Sequence, residues 1–182
     1  MSGLRNRNFW FLEYLMIYVY TGSGKGKTSA CLGQAVRAMG WGLKVGFAQF
    51  IKADNQAGEQ TYLQHSLGDN YLAGGLGFFL DELDKPKHRL VAEYTLNWAF
   101  QRMASLDLLI LDEALYALNL DLLNLEEIRQ LFRRSRLDDC HLIISGRCFP
   151  SELAGEVDLI TEMTEIKHPW QRGQHALAGL DY

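Results

Sequence analysis

"TGSGKGKTSA", residues 21–30, is the stretch whose reading decides the fold. Gly26, Lys27 and Thr28 supply the end of the phosphate-binding pattern G-x-x-x-x-G-K-[ST]. The opening glycine of that pattern belongs at position 21, but Thr21 stands there and the glycine follows at Gly22. The flanking context is nonetheless the one the pattern requires. "MIYVY" (16–20), β-branched and aromatic, leads in as a strand. "KTSACLGQAVRAMG" (27–40) leads out as a helix, with Ala30, Leu32, Ala35, Val36 and Met39 along one stripe and Gly40 as the stop. Gly22, Gly24 and Gly26 let backbone N–H groups turn inward around an anion, and the helix start adds the positive end of its dipole. Lys27 then reaches the terminal phosphates, the Thr28 hydroxyl holds Mg²⁺, and Lys25 adds a second cation. The candidate nucleotide-contacting set is therefore Gly22, Ser23, Gly24, Lys25, Gly26, Lys27 and Thr28. Arg37 joins it from the following helix, although it reads equally as a surface charge. A glycine-rich turn with no ligand is the competing reading, and it leaves the two lysines and the threonine unexplained.

Outward from the loop, short apolar runs alternate with helical patterns. "LKVGFAQF" (43–50), "HLIIS" (141–145) and "VDLITEM" (157–163) read as strands. "GEQTYLQHSLG" (58–68) reads as a short helix. "RLVAEYTLNWAFQRMA" (89–104) reads as a longer one, with Val91, Tyr94, Trp98 and Met103 on one face. "NLEEIRQLFRRS" (124–135) opens with Asn124 as N-cap and Glu127 placed to close a capping box. "DLLILDE" (107–113) is a buried strand that ends in two acids. Its Asp112 is placed to meet the Mg²⁺ shell held by Thr28, and Glu113 is placed beside it, where a glutamate activates water in ATP hydrolases. Alternating strand and helix predict a mostly parallel sheet of about six strands with helices on both faces. Ligands in such folds bind beyond the carboxyl ends of the strands. Arg147, after "IISG", falls at such an end, whereas the five histidines are dispersed and offer no zinc spacing.

Composition narrows the classes. The 182 residues fit one domain, and a net charge of -4 gives no case for general nucleic-acid binding. Three cysteines without a C-x-x-C pair fit a reduced, cytoplasmic setting. Arg5 and Arg7 before "FWFLEYLMIYVY" imitate a signal peptide, but Glu13 interrupts the run and the run flows into the strand that carries the loop. It is too short to span a bilayer. Residues 1–15 are read as an added arm or the product of a start assigned too early, and 16–182 as the domain. "GLGFF" (75–79) reads as a loop packed by its phenylalanines or as an apolar lid over a flat ligand.

These readings stop at an α/β domain that binds a Mg-nucleotide. The sequence also resembles the P-loop class of corrinoid adenosyltransferases, which act on ATP and cob(I)alamin. That family's loop reads T-G-x-G-K-G-K-T, and "TGSGKGKT" (21–28) carries the same displaced glycine. The likeness continues through "RAMGWGLKVGFAQFIK", "GE" (58–59), "GF" (77–78), "LLILDEALYAL", "LEE", "IISGR", "VDLITEM", "IKHPW" and the terminal "GLDY", over residues 16–182. The resemblance implies a three-layer, RecA-like P-loop fold and an enzyme of adenosylcobalamin biosynthesis or salvage. In it, Co(I) attacks the 5′ carbon of ATP and the whole triphosphate leaves, so no general base is needed.

By the same resemblance, Lys27 and Thr28 contact phosphate and metal, and Asp112 and Glu113 belong to the Mg²⁺ (or Mn²⁺) region. Lys27, Thr28 and Glu113 are the implied catalytic residues. Phe78 matches an aromatic that helps expel cobalamin's lower ligand. The family often has tryptophan two residues on, where this chain has Leu80, which fills apolar space without a ring face against the corrin. The resemblance further implies a homodimer and a reduced flavin or flavoprotein as electron donor, while the charge and the short apolar run predict neither nucleic-acid nor membrane partners. Two other classes stay open on the residues alone. One is a phosphotransferase or ATPase with Glu113 as base, which releases ADP. The other is a nucleotide-binding protein without turnover.

Overall fold

The computed structural model describes residues 14–53, 57–77 and 82–182. Six strands, β1 (Ile17–Thr21), β2 (Val45–Gln49), β3 (Tyr71–Ala73), β4 (Leu108–Asp112), β5 (His141–Ser145) and β6 (Leu159–Glu162), form one sheet in the order β3-β2-β4-β5-β1-β6. Every pairing in it is parallel. Five helices, α1 (Lys27–Gly40), α2 (Gly58–Leu67), α3 (Lys85–Met103), α4 (Ala114–Asn119) and α5 (Leu125–Asp138), complete a three-layer α/β domain. No described helix is long and apolar enough to cross a membrane.

Strand alternation divides the core between the two faces of the sheet. Val45, Phe47, Leu108, Ile110 and Ile143 point to the side covered by Cys31, Ala35 and Ala38 of α1 and Leu63 of α2. Val19, Ala48, Leu109, Leu111, Leu142 and Ile144 point to the other side, under α3, α4 and α5. Both helical stripes differ in part from the sequence expectation. Val36 is 50% exposed, because α1 turns its small residues Cys31, Ala35 and Ala38 inward and so lies close to the sheet. Tyr94 is 62% exposed, because α3 buries the stripe Ala92, Thr95, Leu96, Ala99 and Met103 instead. At α5 the capping box forms: Glu127 N donates to Asn124 Oδ1 at 3.0 Å, and Asn124 N donates to Glu127 Oε2 at 2.8 Å. Such a cap contributes about 1 kcal/mol. The Glu127 carboxylate also takes both guanidinium NH groups of Arg89, at 2.8 and 2.6 Å, which ties α5 to α3.

Register sets the site. Gln49 pairs with Asp112, and Tyr20 with Ser145, so the carboxyl ends of β1, β2, β4 and β5 lie along one edge. Because β5 sits between β4 and β1, Ser145 stands between Asp112 and the start of the loop.

The N-terminal boundary is tested by deletion. Met16 O accepts from Leu142 N at 3.0 Å, and Leu15 packs on the core. Removing residues 1–13 is therefore expected to leave one cooperative thermal transition by circular dichroism. A broad or absent transition would make that segment part of the fold.

Candidate active site

Thr21 is the buried last residue of β1, its hydroxyl accepting from Phe149 N at 3.2 Å and its carbonyl from Met163 N at 2.8 Å. The chain turns one residue later, at Gly22, whose φ of 102° suits glycine. A Cβ there would lie 2.4 Å from Met163 O. The displaced glycine is thus a displaced turn, packed against the end of β6. Gly26, at φ 117°, precedes α1 and has no side chain with which to cap it. The first-turn N–H groups of α1 are left for an anion.

Two lysines are held over this loop. Lys27 Nζ donates to Gly22 O at 2.7 Å and Gly24 O at 2.6 Å. Burial, and then the charge of Arg147, hold its pKa below the usual lysine value. Lys25 Nζ donates to Leu180 O at 2.6 Å and pairs with Asp181, so the end of the chain folds back beside the loop.

Facing the lysines are the acids at the strand ends. Asp112 is fully buried, and the Thr28 hydroxyl donates to its Oδ2 at 3.0 Å. Ser145 Oγ donates to Asp112 Oδ1 at 2.5 Å while accepting from Glu113 N at 3.0 Å. Glu113 follows in the left-handed region at φ 63°, a conformation that costs a non-glycine residue about 1 kcal/mol or more. Its Oε2 accepts from Lys52 N at 3.2 Å. Burial first, and then the nearby Asp112 carboxylate, push Glu113 up to about 7. Lys52 Nζ lies 2.5 Å from Glu59 Oε1. Burial works against the charge on Lys52, but the hydrogen bond to Glu59 and the carboxylates around it prevail, and its pKa is raised.

These groups share a cavity of about 850 Å³, lined by Ser23 to Thr28, Asp112, Glu113, Lys52, Glu59, Tyr116, Arg147, His168, Trp170 and Gly179 to Tyr182. Such a volume accommodates a bulky organic ligand. The Thr28 hydroxyl and the Asp112 carboxylate form a hard-oxygen pair of the kind Mg²⁺ takes beside phosphates, and Glu113 adjoins them. Arg37 is not brought into this cavity. It lies toward the far end of α1, donates to Gln34 Oε1 at 3.1 Å, and lines a second cavity with Tyr14 and Trp41. Phe78 and Leu80 lie outside the described residues.

Sequence reasoning assigned no role to Lys52, Glu59, Ser145 or the terminal residues. "GE" (58–59), "IKHPW" and "GLDY" were signals of likeness without a local pattern that states a role. Ser145 ends β5 and Lys52 follows β2 by three residues, and only the sheet order brings them to the cavity.

The family model for ATP:corrinoid adenosyltransferase BtuR/CobO/CobP matches residues 13–182. The corrinoid adenosyltransferase of Escherichia coli (strain K12) is 35% identical over 169 residues, which cover 92% of this chain and 85% of that one. Corrinoid adenosyltransferase CobA of Salmonella typhimurium (strain LT2) is 32% identical over 168 residues, covering 92% and 85%. The corrinoid adenosyltransferase of Pseudomonas aeruginosa is 31% identical over 171 residues, covering 92% and 83%.

Proposed function

We propose, from the premise that this chain belongs to the ATP:corrinoid adenosyltransferase family, the following reaction and division of labour at its site. The chain is an enzyme that adenosylates corrinoids with ATP. The reduced corrinoid's Co(I) attacks C5′ of ATP, the C5′–O bond breaks, and the electron pair leaves with triphosphate. Co(I) is the nucleophile, so no side chain has to remove a proton. The protein's tasks are to align carbon with cobalt and to stabilise the charge on the departing triphosphate.

One observation carries this reading: Lys25, Lys27 and the first-turn donors of α1 gather on one wall of the cavity, around the turn at Gly22. Lys27 is placed to neutralise the leaving group, with Gly22 to Thr28 cradling it. Thr28 and Asp112 would hold Mg²⁺ with Glu113 beside them, and the bound ion would supply further positive charge to the triphosphate. Phe78 and Leu80 are proposed for the corrinoid's lower face. A homodimer, a reduced flavin or flavoprotein donor, and a cytoplasmic setting complete the proposal.

The test is product analysis. The protein is mixed anaerobically with MgATP and chemically reduced cobalamin. A light-sensitive adenosylated corrinoid and inorganic triphosphate are expected. ADP and phosphate with an unchanged corrinoid would overturn the reading in favour of ordinary hydrolysis.

A further inference from the structure

We propose that Gln49 is a positioning residue that ties the Thr28–Asp112 pair to the Lys52–Glu59 pair across the back of the cavity. The proposal rests on the reading of Thr28 and Asp112 as the metal-holding pair. Gln49 ends β2, is fully buried, and stands in register with Asp112. An apolar side chain of the same length would fill that space without desolvating an amide. The polar group is therefore explained by what it holds.

Its hydrogen bonds allow one orientation. Gln49 Oε1 accepts from Tyr71 OH at 2.9 Å and from Gln60 Nε2 at 3.2 Å. Gln60 is itself fixed, since its Nε2 also donates to Ala53 O at 2.9 Å and its Oε1 accepts from Ala57 N at 3.2 Å. The Gln49 oxygen must face these donors, so its NH₂ faces the other way. There it meets Glu59 Oε1 and Asp112 Oδ2, both at 3.4 Å. A flipped amide would set its oxygen against two carboxylates, which in ionised form donate nothing. The side chain thus has four partners, two on each side.

The consequence reaches both ends of the cavity. Asp112 is held at Oδ1 by Ser145 and at Oδ2 by Gln49, so the carboxylate plane that Thr28 meets is set from two strands. The same NH₂ touches the carboxylate that carries Lys52. Residues that orient a metal's ligands in this way change its affinity by about 10- to 100-fold when removed.

The experiment measures Mn²⁺ binding to the full chain with ATP, by electron paramagnetic resonance, in native protein, Gln49→Met and Tyr71→Phe. The first variant keeps the length and removes the donors. The second leaves both carboxylates and the amide in place but removes one group that orients the amide. Mn²⁺ affinity is expected to fall about tenfold in Gln49→Met, and in the same direction but less in Tyr71→Phe. Affinities within twofold of native would overturn the proposal and leave Gln49 a core residue only, whatever happens to the melting temperatures. If Gln49→Met fails to fold, Tyr71→Phe decides alone. A native protein that binds no Mn²⁺ with ATP would instead overturn the metal pair itself.

Discussion

Replacing Lys27 by alanine is expected to lower adenosyl-transfer turnover about 100-fold, the usual cost of removing one preorganised group aimed at developing charge. Triphosphate leaves as a multiply charged anion, and the protein supplies no proton to it in the proposed reaction. Stabilisation therefore falls on fixed cations and N–H donors. Lys27 is half-buried and held by Gly22 O and Gly24 O, so its ammonium loses little freedom on engaging phosphate. Lys25 gives the contrast: its side chain is 46% exposed and already paired with Asp181. Lys25→Ala is expected to cost less than about tenfold, as water screens an exposed charge. Triphosphate release at saturating ATP and corrinoid measures both. Near-native turnover in Lys27→Ala would remove Lys27 from the leaving-group site.

Much of the architecture was legible because its signals are local. "LLIL" (108–111) and "LII" (142–144) are unbroken apolar runs, as strands buried on both faces must be, and they lie in β4 and β5. Asn124 and Glu127 announce a helix start three residues apart. β3 was not legible, because three residues carry no period and its place at the sheet edge comes from pairing with β2. α4 was hidden for a similar reason, since "ALYALN" is too short to show a helical stripe of its own. The site divides along the same line. The loop and Asp112 are motif residues with fixed spacing. Strand order alone brings Lys52 and Ser145 to the cavity and Gln49 to the back of Asp112. The separations of Gln49 and Ser145 from Asp112, 63 and 33 residues, have no meaning until the strands are placed. Arg37 shows the converse: nearness in sequence to the loop does not bring a residue of α1 into the loop's cavity, and Arg37 lines the second one instead.

Glu113→Gln is expected to separate stability from activity. Glu113 is partly buried beside Asp112, and burial together with that carboxylate pushes its pKa up to about 7, against an ordinary value of 4.5. A carboxyl with a raised folded pKa binds its proton more tightly folded than unfolded. Its contribution is therefore most favourable below pH 4.5 and is lost as pH rises to 7. The loss amounts to about 3 kcal/mol for a shift of this size. The substitution removes the titration while the new amide oxygen can still accept from Lys52 N, so Glu113→Gln should be stabler than native at pH 8 and similar at pH 5. For a chain of this length, 1 kcal/mol moves the melting temperature by roughly 2–4 °C. The measurement is urea unfolding at both pH values, in chelator and without nucleotide, so that no bound cation masks the charge. An equal pH slope in the two proteins would show that Glu113 does not titrate in this window. In the same variant, turnover should fall, because the carboxylate is proposed to adjoin the ion that balances triphosphate. A side chain that costs stability where it stands, in a strained backbone conformation, is what a residue retained for chemistry looks like. A variant stabler at pH 8 yet fully active would remove Glu113 from the chemistry.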